Sequence, residues 1–213
     1  EGNFIGRGLY HPDLTIALRL LTENVNEPLD EAFFENRLRR AKELREDVLR
    51  LGDVTDSYRL VHAECDGLSG LVIDKFADVL VIEPYCGGYL NIIPWLADSL
   101  KRIYPGCRVA VRPDARTEVR EGVSYASWVR EYPAPGRVDI RENKLRMRVN
   151  FVTGHKTGFF LDQRDNRAAV AALASGREVL DLCCYTGGFA ISAMLGGAAR
   201  CVGRPARRAA GRA

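Results

Sequence analysis

Apolar residues recur at Phe34, Leu38, Ala41, Leu44, Val48 and Leu51, in steps of four, three, three, four and three. That spacing draws one stripe down a helix and predicts an amphipathic helix packed on a core. Pro28 suits its first turn, Asp30 and Glu31 sit where the helix dipole is positive, and Gly52 is placed to take the left-handed conformation that ends it. From Tyr58 the period changes to two. Tyr58–His62, Leu71–Ile73 and Val79–Glu83 are separated by the turn clusters 66–70 and 74–78, and predict an antiparallel meander. A helix is expected around Leu90 to Ile103, then a strand over Arg108–Arg112, then a hairpin of Arg137–Arg141 and Leu145–Phe151 joined by Glu142-Asn-Lys144. The short apolar stretches Phe4–Tyr10 and Thr15–Thr22 read as the last strands of a small β domain.

After Asn150 the pattern carries chemistry. Residues 154–167 read GHKTGFFLDQRDNR, and a helix is expected to follow with Asp162 or Asp165 near its start and Ala168, Val170 and Leu173 on its buried side. A phosphate-binding P-loop is excluded, since Asn150 and His155 stand where that motif needs glycine before Lys156-Thr157. Residues 178–188 read EVLDLCCYTGG: a strand ending near Asp181, a turn at Gly187 and Gly188, and a helix resuming over Phe189–Leu195. This lacks the glycine spacing that seats a dinucleotide pyrophosphate, which disfavours an NAD-type oxidoreductase. An acid at the strand end beside a glycine pair suits a cationic, phosphate-free cofactor. S-adenosylmethionine has those properties, with an amino group and sulfonium for a carboxylate to face and a carboxylate for backbone N–H groups to receive.

Charge changes the picture only once it is located. The formal net charge is +3, but residues 204–213 read RPARRAAGRA and hold four arginines and no acid. Without them 27 basic residues face 28 acidic ones, so any RNA-binding face must be a local patch. The segment 204–213 has the composition of a frameshifted GC-rich reading frame and is not expected to supply a sheet strand. The apolar surface around Val179, Leu180, Ile191 and Leu195 would then have little to pack against. Six cysteines at 65, 86, 107, 183, 184 and 201 show no C-x-x-C spacing, which argues against a metal site and for a reducing cytoplasm. No apolar run approaches the ~18 residues of a membrane span.

The two segments after residue 150, with RLVHAECDGLSGLVID (59–74), GRGLY (6–10) and EPLDEAFF (27–34), resemble the RlmI-like family of class I S-adenosylmethionine-dependent 23S rRNA methyltransferases. The resemblance covers residues 1–203. It implies α/β plus α+β architecture: the end of a PUA-like β domain at 1–22, a central α+β domain at 23–150, and the first part of a Rossmann-like methyltransferase domain at 151–203, followed by the aberrant tail. It further implies that Lys156, Thr157, Gly158, Phe160, Asp162, Gln163 and Arg164 line one side of the cofactor pocket, and that Asp181, Tyr185, Thr186, Gly187 and Gly188 form the other. Asp165, Asn166 and Arg167 fit capping and solvation of the helix as well as they fit the pocket.

Family register would place the acid that accepts the ribose hydroxyls near position 205, which is Pro. Methylation at cytosine carbon 5 requires a cysteine thiolate to add to carbon 6, and the family's nucleophile and base-binding loop have no counterpart within residues 1–203. The expected function is therefore a fragment of a 23S rRNA cytosine-carbon-5 methyltransferase, inactive as given. The alternative is a non-catalytic RNA-binding fragment. Related members modify guanine, and homo-oligomerisation stays open.

Overall fold

The computed structural model describes residues 3–12, 14, 16–151 and 158–206. Strands β1 (Arg7–Tyr10) and β2 (Leu18–Thr22) form an antiparallel pair. Helix α1 (Glu31–Glu43) follows, its first turn closed by the Asp30 carboxylate accepting from the Phe33 N–H at 2.9 Å. Strands β3 (Ser57–His62), β4 (Leu71–Phe76) and β5 (Val79–Pro84) make the expected antiparallel meander. Helix α2 (Ile93–Ile103) then crosses over to β6 (Arg108–Val111), which pairs parallel with β5 and completes a sheet of order β3-β4-β5-β6.

Two cores explain why β5 is buried along its whole length. On one face Leu60, Leu71, Ile73, Leu80 and Ile82 pack under Phe33, Phe34 and Leu38 of α1 and Leu96 and Leu100 of α2. On the other, Phe76, Val79, Val81 and Ala110 meet a hairpin of β7 (Arg137–Glu142) and β8 (Leu145–Asn150) through Val138, Ile140 and Val149. Phe151, Phe159 and Leu161 join this second core, with the rings of Phe76 and Phe151 edge to face at 5.2 Å. A strand covered on both faces is read as a continuous apolar run, and each such side chain contributes roughly 1.5–3 kcal/mol by burial. Phe159 and Leu161 of this core lead into the candidate site.

Around α1 and ahead of the hairpin the structure departs from the sequence expectations. The stripe of α1 holds for Phe34, Leu38 and Ala41 but fails at Leu44 and Val48, which are exposed. A π-turn over Leu44–Val48 rotates the face and buries Arg45 in their place, where its guanidinium pairs with Asp66. The helix consequently ends early, so Arg50 and not Gly52 adopts the left-handed conformation, with φ 51°. Pro28 precedes the Asp30 cap and does not lie in the first turn. Helices α3 (Ala115–Glu121) and α4 (Ala126–Glu131) occupy a stretch where periodicity predicted nothing. They are too short for an apolar repeat to register.

Beyond the hairpin, α5 (Arg164–Leu173), β9 (Glu178–Leu182), α6 (Gly188–Leu195) and β10 (Arg200–Arg204) form a strand–helix–strand unit with β9 and β10 parallel. Both helices lie on one face. The other face leaves Leu180 60% and Leu182 66% exposed, and Ile191 and Leu195 are exposed on α6, as the packing argument expected. Val179 instead packs with Ala174, Ala193 and Ala198. β10 also runs one residue into the segment that was not expected to supply a strand.

Candidate cofactor site

The strand end, the glycine turn and the helix that follows enclose a cleft of about 350 Å³. Asp181, near the end of β9, points its carboxylate to the first turn of α6 and accepts from the Ala190 N–H at 3.2 Å. Gly188 and Phe189 line the cleft beside it. They open a helix whose first N–H groups have no intrahelical partner, so the wall presents a carboxylate and amide donors side by side. Between them the chain passes through three left-handed residues, Cys183 (φ 60°), Tyr185 (φ 47°) and Gly187 (φ 75°). Non-glycine residues adopt this conformation at a cost of about 1–2 kcal/mol each, and such strain concentrates where a loop must present groups to a ligand.

Contacts to the opposite wall hold that loop. The Tyr185 hydroxyl donates to the Gly158 carbonyl at 3.1 Å, and the Tyr185 and Phe160 rings stand edge to face at 5.4 Å. Gly158 is confined by close approach: at φ 107°, an added Cβ would lie 2.6 Å from Val149 Cγ1. The Cys184 N–H donates to the Arg204 carbonyl at 3.1 Å and ties the turn to β10.

Of the residues expected to line the pocket, the structure brings together Phe160, Asp162, Gln163, Asp181, Tyr185, Thr186 and Gly188. Gly158 contributes its carbonyl from behind Tyr185, and Gly187 caps α6. Arg164 is not part of the lining. It turns away to pair with Asp165 at 2.9 Å. Lys156 and Thr157 lie outside the described residues. The sequence reading missed Phe159, Leu182, Cys183, Cys184 and Phe189 as lining residues, although the cysteines lie inside the quoted motif.

A larger omission from the expected pocket residues is Arg167, for which capping and solvation of α5 was one of two readings and which is 3% exposed. Its guanidinium forms a two-pronged pair with Glu142 of β7, both bonds 2.6 Å. It also donates to the Phe160 carbonyl at 3.1 Å and lies 4.4 Å over the Phe159 ring. Ala168 and Leu173, expected on the buried side of α5, are exposed, because the helix turns Arg167 inward. Glu142 accordingly belongs to the strand and not to the hairpin turn.

All six cysteines are free. Burial pushes the thiols of Cys86 and Cys107 up, which disfavours the reactive thiolate. Among the described residues no cluster of His, Cys, Asp or Glu could hold a metal ion, and no helix is long and apolar enough to cross a membrane.

Comparison with known proteins adds what geometry cannot. The family model for S-adenosylmethionine-dependent methyltransferases matches residues 110–211, and the Ribosomal RNA large subunit methyltransferase I of Shewanella denitrificans is 40% identical over 200 residues. Residues 110–211 belong to the S-adenosylmethionine-dependent methyltransferase domain family. The Shewanella protein is matched over 93% of this chain and 50% of its own length. Enzymes of the same name from Photobacterium profundum and Erwinia tasmaniensis are each 39% identical, covering 95% and 92% of the chain. The chain thus spans about half the length of the curated relatives it matches. Two solved methyltransferase structures share the fold. One, complexed with SAH, has a TM-score of 0.76 at 23% identity and covers 93% of this chain and 50% of its own. The other, from Streptococcus mutans, has a TM-score of 0.75 at 24% identity and covers 93% and 51%. A Rossmann-like methyltransferase fold is therefore the frame in which the cleft sits.

Proposed function

We propose that this chain is part of a cytoplasmic methyltransferase acting on ribosomal RNA of the large subunit, and that the cleft between Phe160 and Asp181 is its S-adenosylmethionine site. The observation that carries this reading is the Asp181 carboxylate beside the first turn of α6. A carboxylate favours a cationic ligand group, and free amide donors at a helix start favour an anionic one. A zwitterionic amino-acid moiety needs both at once. Asp181 is assigned the ammonium end, the Gly188 and Phe189 amides the carboxylate end, and the Phe160 and Tyr185 rings the neighbourhood of the sulfonium, where aromatic faces attract cations. Gly158, Asp162, Gln163, Thr186 and Gly187 are assigned to shaping the pocket, and Lys156 and Thr157 to its remaining wall. Arg164, turned toward Asp165, is not assigned to it. Bound S-adenosylmethionine supplies an electrophilic methyl group.

Cytosine carbon 5 of 23S rRNA is the proposed target, on the strength of the resemblance in residues 154–188. No cysteine in this chain is assigned the role of nucleophile, and the chain alone is proposed to bind cofactor weakly without turning over. By the same resemblance, residues 1–22 are proposed as the end of a PUA-like domain and residues 23–150 as the central domain that presents RNA.

Calorimetric titration with S-adenosylhomocysteine, which keeps the amino-acid moiety, tests the assignment. The expected result is weak, saturable binding that Asp181→Asn reduces about tenfold, roughly the value of one charge-assisted hydrogen bond, with none for NAD. Equal binding by parent and variant would remove Asp181 from the site.

A further inference from the structure

The solvent face of the β7–β8 ribbon carries an excess of positive charge that the cleft does not use. Side chains alternate across the ribbon. Val138, Ile140 and Val149 point into the second core and Leu145 is buried on the same face opposite Glu142, while Arg137, Asp139 and Arg141 of β7 and Arg146, Arg148 and Asn150 of β8 point away from it. Four arginines and one aspartate therefore share one face, with Lys144 at its turn. The register sets Arg141 opposite Arg146 and Asp139 opposite Arg148. Arg148 and Asp139 pair at 2.6 Å, both well exposed, and the Arg148 fork holds the Asp139 carboxyl below its usual range. Arg141 donates to the Gly52 carbonyl at 3.2 Å. Arg137, Arg146 and Lys144 have no partner among the described residues.

Placing like charges opposite one another across a strand pair is destabilising, so Arg141 opposite Arg146 does not serve the ribbon's own stability. We propose that this face is a docking surface for the sugar–phosphate backbone of RNA. The inference rests on the reading of the chain as an RNA methyltransferase and adds where the RNA is held. Along each strand the outward residues repeat about every 7 Å and across the ribbon about every 5 Å, which gives two rows of guanidinium forks. Arginine forks suit phosphate oxygens with two parallel hydrogen bonds, a geometry lysine does not offer. A protein partner is the poorer fit. It would need an apolar anchor pocket, and the apolar residues of this ribbon are turned inward. Because residues 1–203 are close to neutral overall, the patch is local and not an expression of net charge.

The ribbon is also tied to the cofactor cleft. Glu142 ends β7, and its partner Arg167 holds the Phe160 carbonyl that begins the cleft wall. RNA lying on the ribbon would be registered to that wall through a buried ion pair.

Fluorescence anisotropy with a short labelled RNA stem-loop, over a series of salt concentrations, tests this. The doubly substituted Arg137→Gln/Arg146→Gln protein should bind about tenfold more weakly at physiological salt, with the log–log salt slope shallower by about two. Asp139→Asn should tighten binding, and Arg120→Gln on α3 should leave affinity and slope unchanged. Unchanged affinity in the double variant would overturn the proposal, as would tighter binding of a poly-glutamate peptide than of RNA. S-adenosylhomocysteine binding, measured in the same variants, should be unaffected. Its loss in the parent would count against the cofactor reading and not against the ribbon.

Discussion

Arg167 serves four partners at once: Glu142, the Phe160 carbonyl and the faces of Phe159 and Phe189. A buried pair of this kind adds little stability when intact, since desolvation offsets its attraction, but removing one member leaves an uncompensated buried charge. Arg167→Ala should therefore lower stability by about 3–5 kcal/mol in urea unfolding. Arg167→Met combined with Glu142→Leu should recover most of that loss. Were the single and double variants equally destabilised, the pair would not be the clamp described.

Glu83 is a second buried acid, 6% exposed on β5, and burial, with the Asp74 carboxylate nearby, holds its pKa above the usual range. A raised folded-state pKa means the folded protein binds the extra proton. Stability from this group is full below the unfolded carboxylate value and falls as pH rises through the folded one. Glu83→Gln should consequently be as stable as the parent in mild acid and more stable at neutral pH. Thermal melting of both across that range would show it, and a parent that gains relative to the variant as pH rises would contradict the sign.

At the scale of elements, two backbone positions decide local geometry. Arg50 holds φ 51° where the π-turn leaves it, and its ion pair with Asp53 is exposed on both sides and worth little. Arg50→Gly should stabilise the chain by about 0.5–1 kcal/mol by relieving a left-handed non-glycine residue. At Gly196, which ends α6, a Cβ would stand 2.0 Å from the Ala171 carbonyl oxygen of α5. Gly196→Ala should push the helices apart at a cost of about 1–3 kcal/mol and loosen the Arg167 clamp with them. Denaturant unfolding of each variant checks both signs.

These same elements mark what could be read beforehand. The meander, α2, the hairpin and the strand–turn–helix at Asp181 each announce themselves by period or by a glycine pair. The π-turn does not, because it adds one residue to a turn without any change in residue type. The inward turn of Arg167 does not either, since its partner Glu142 lies 25 residues earlier, on another element. Local pattern carries no signal for an ion pair made across a fold.

Taken whole, the molecule is a well-covered four-stranded sheet bearing a hairpin, with a lightly packed strand–helix–strand unit beyond it. Amides of β4 and β5 are closed in on both faces and should exchange only through global unfolding. Those of β9, α6 and β10, whose sheet has a bare side at Leu180 and Leu182, should exchange through a smaller opening and at lower protection. The methyltransferase-domain match over residues 110–211 and the seven lining residues brought together at Asp181 point to one cleft, and the measurement that tests it most directly is a ¹H–¹⁵N titration with S-adenosylhomocysteine. The account predicts that the amides of Phe160, Tyr185, Gly188, Phe189 and Ala190 shift together and saturably while those of the β7–β8 ribbon stay still. Shifts confined to other regions, or none in the Asp181 turn at saturating ligand, would contradict it.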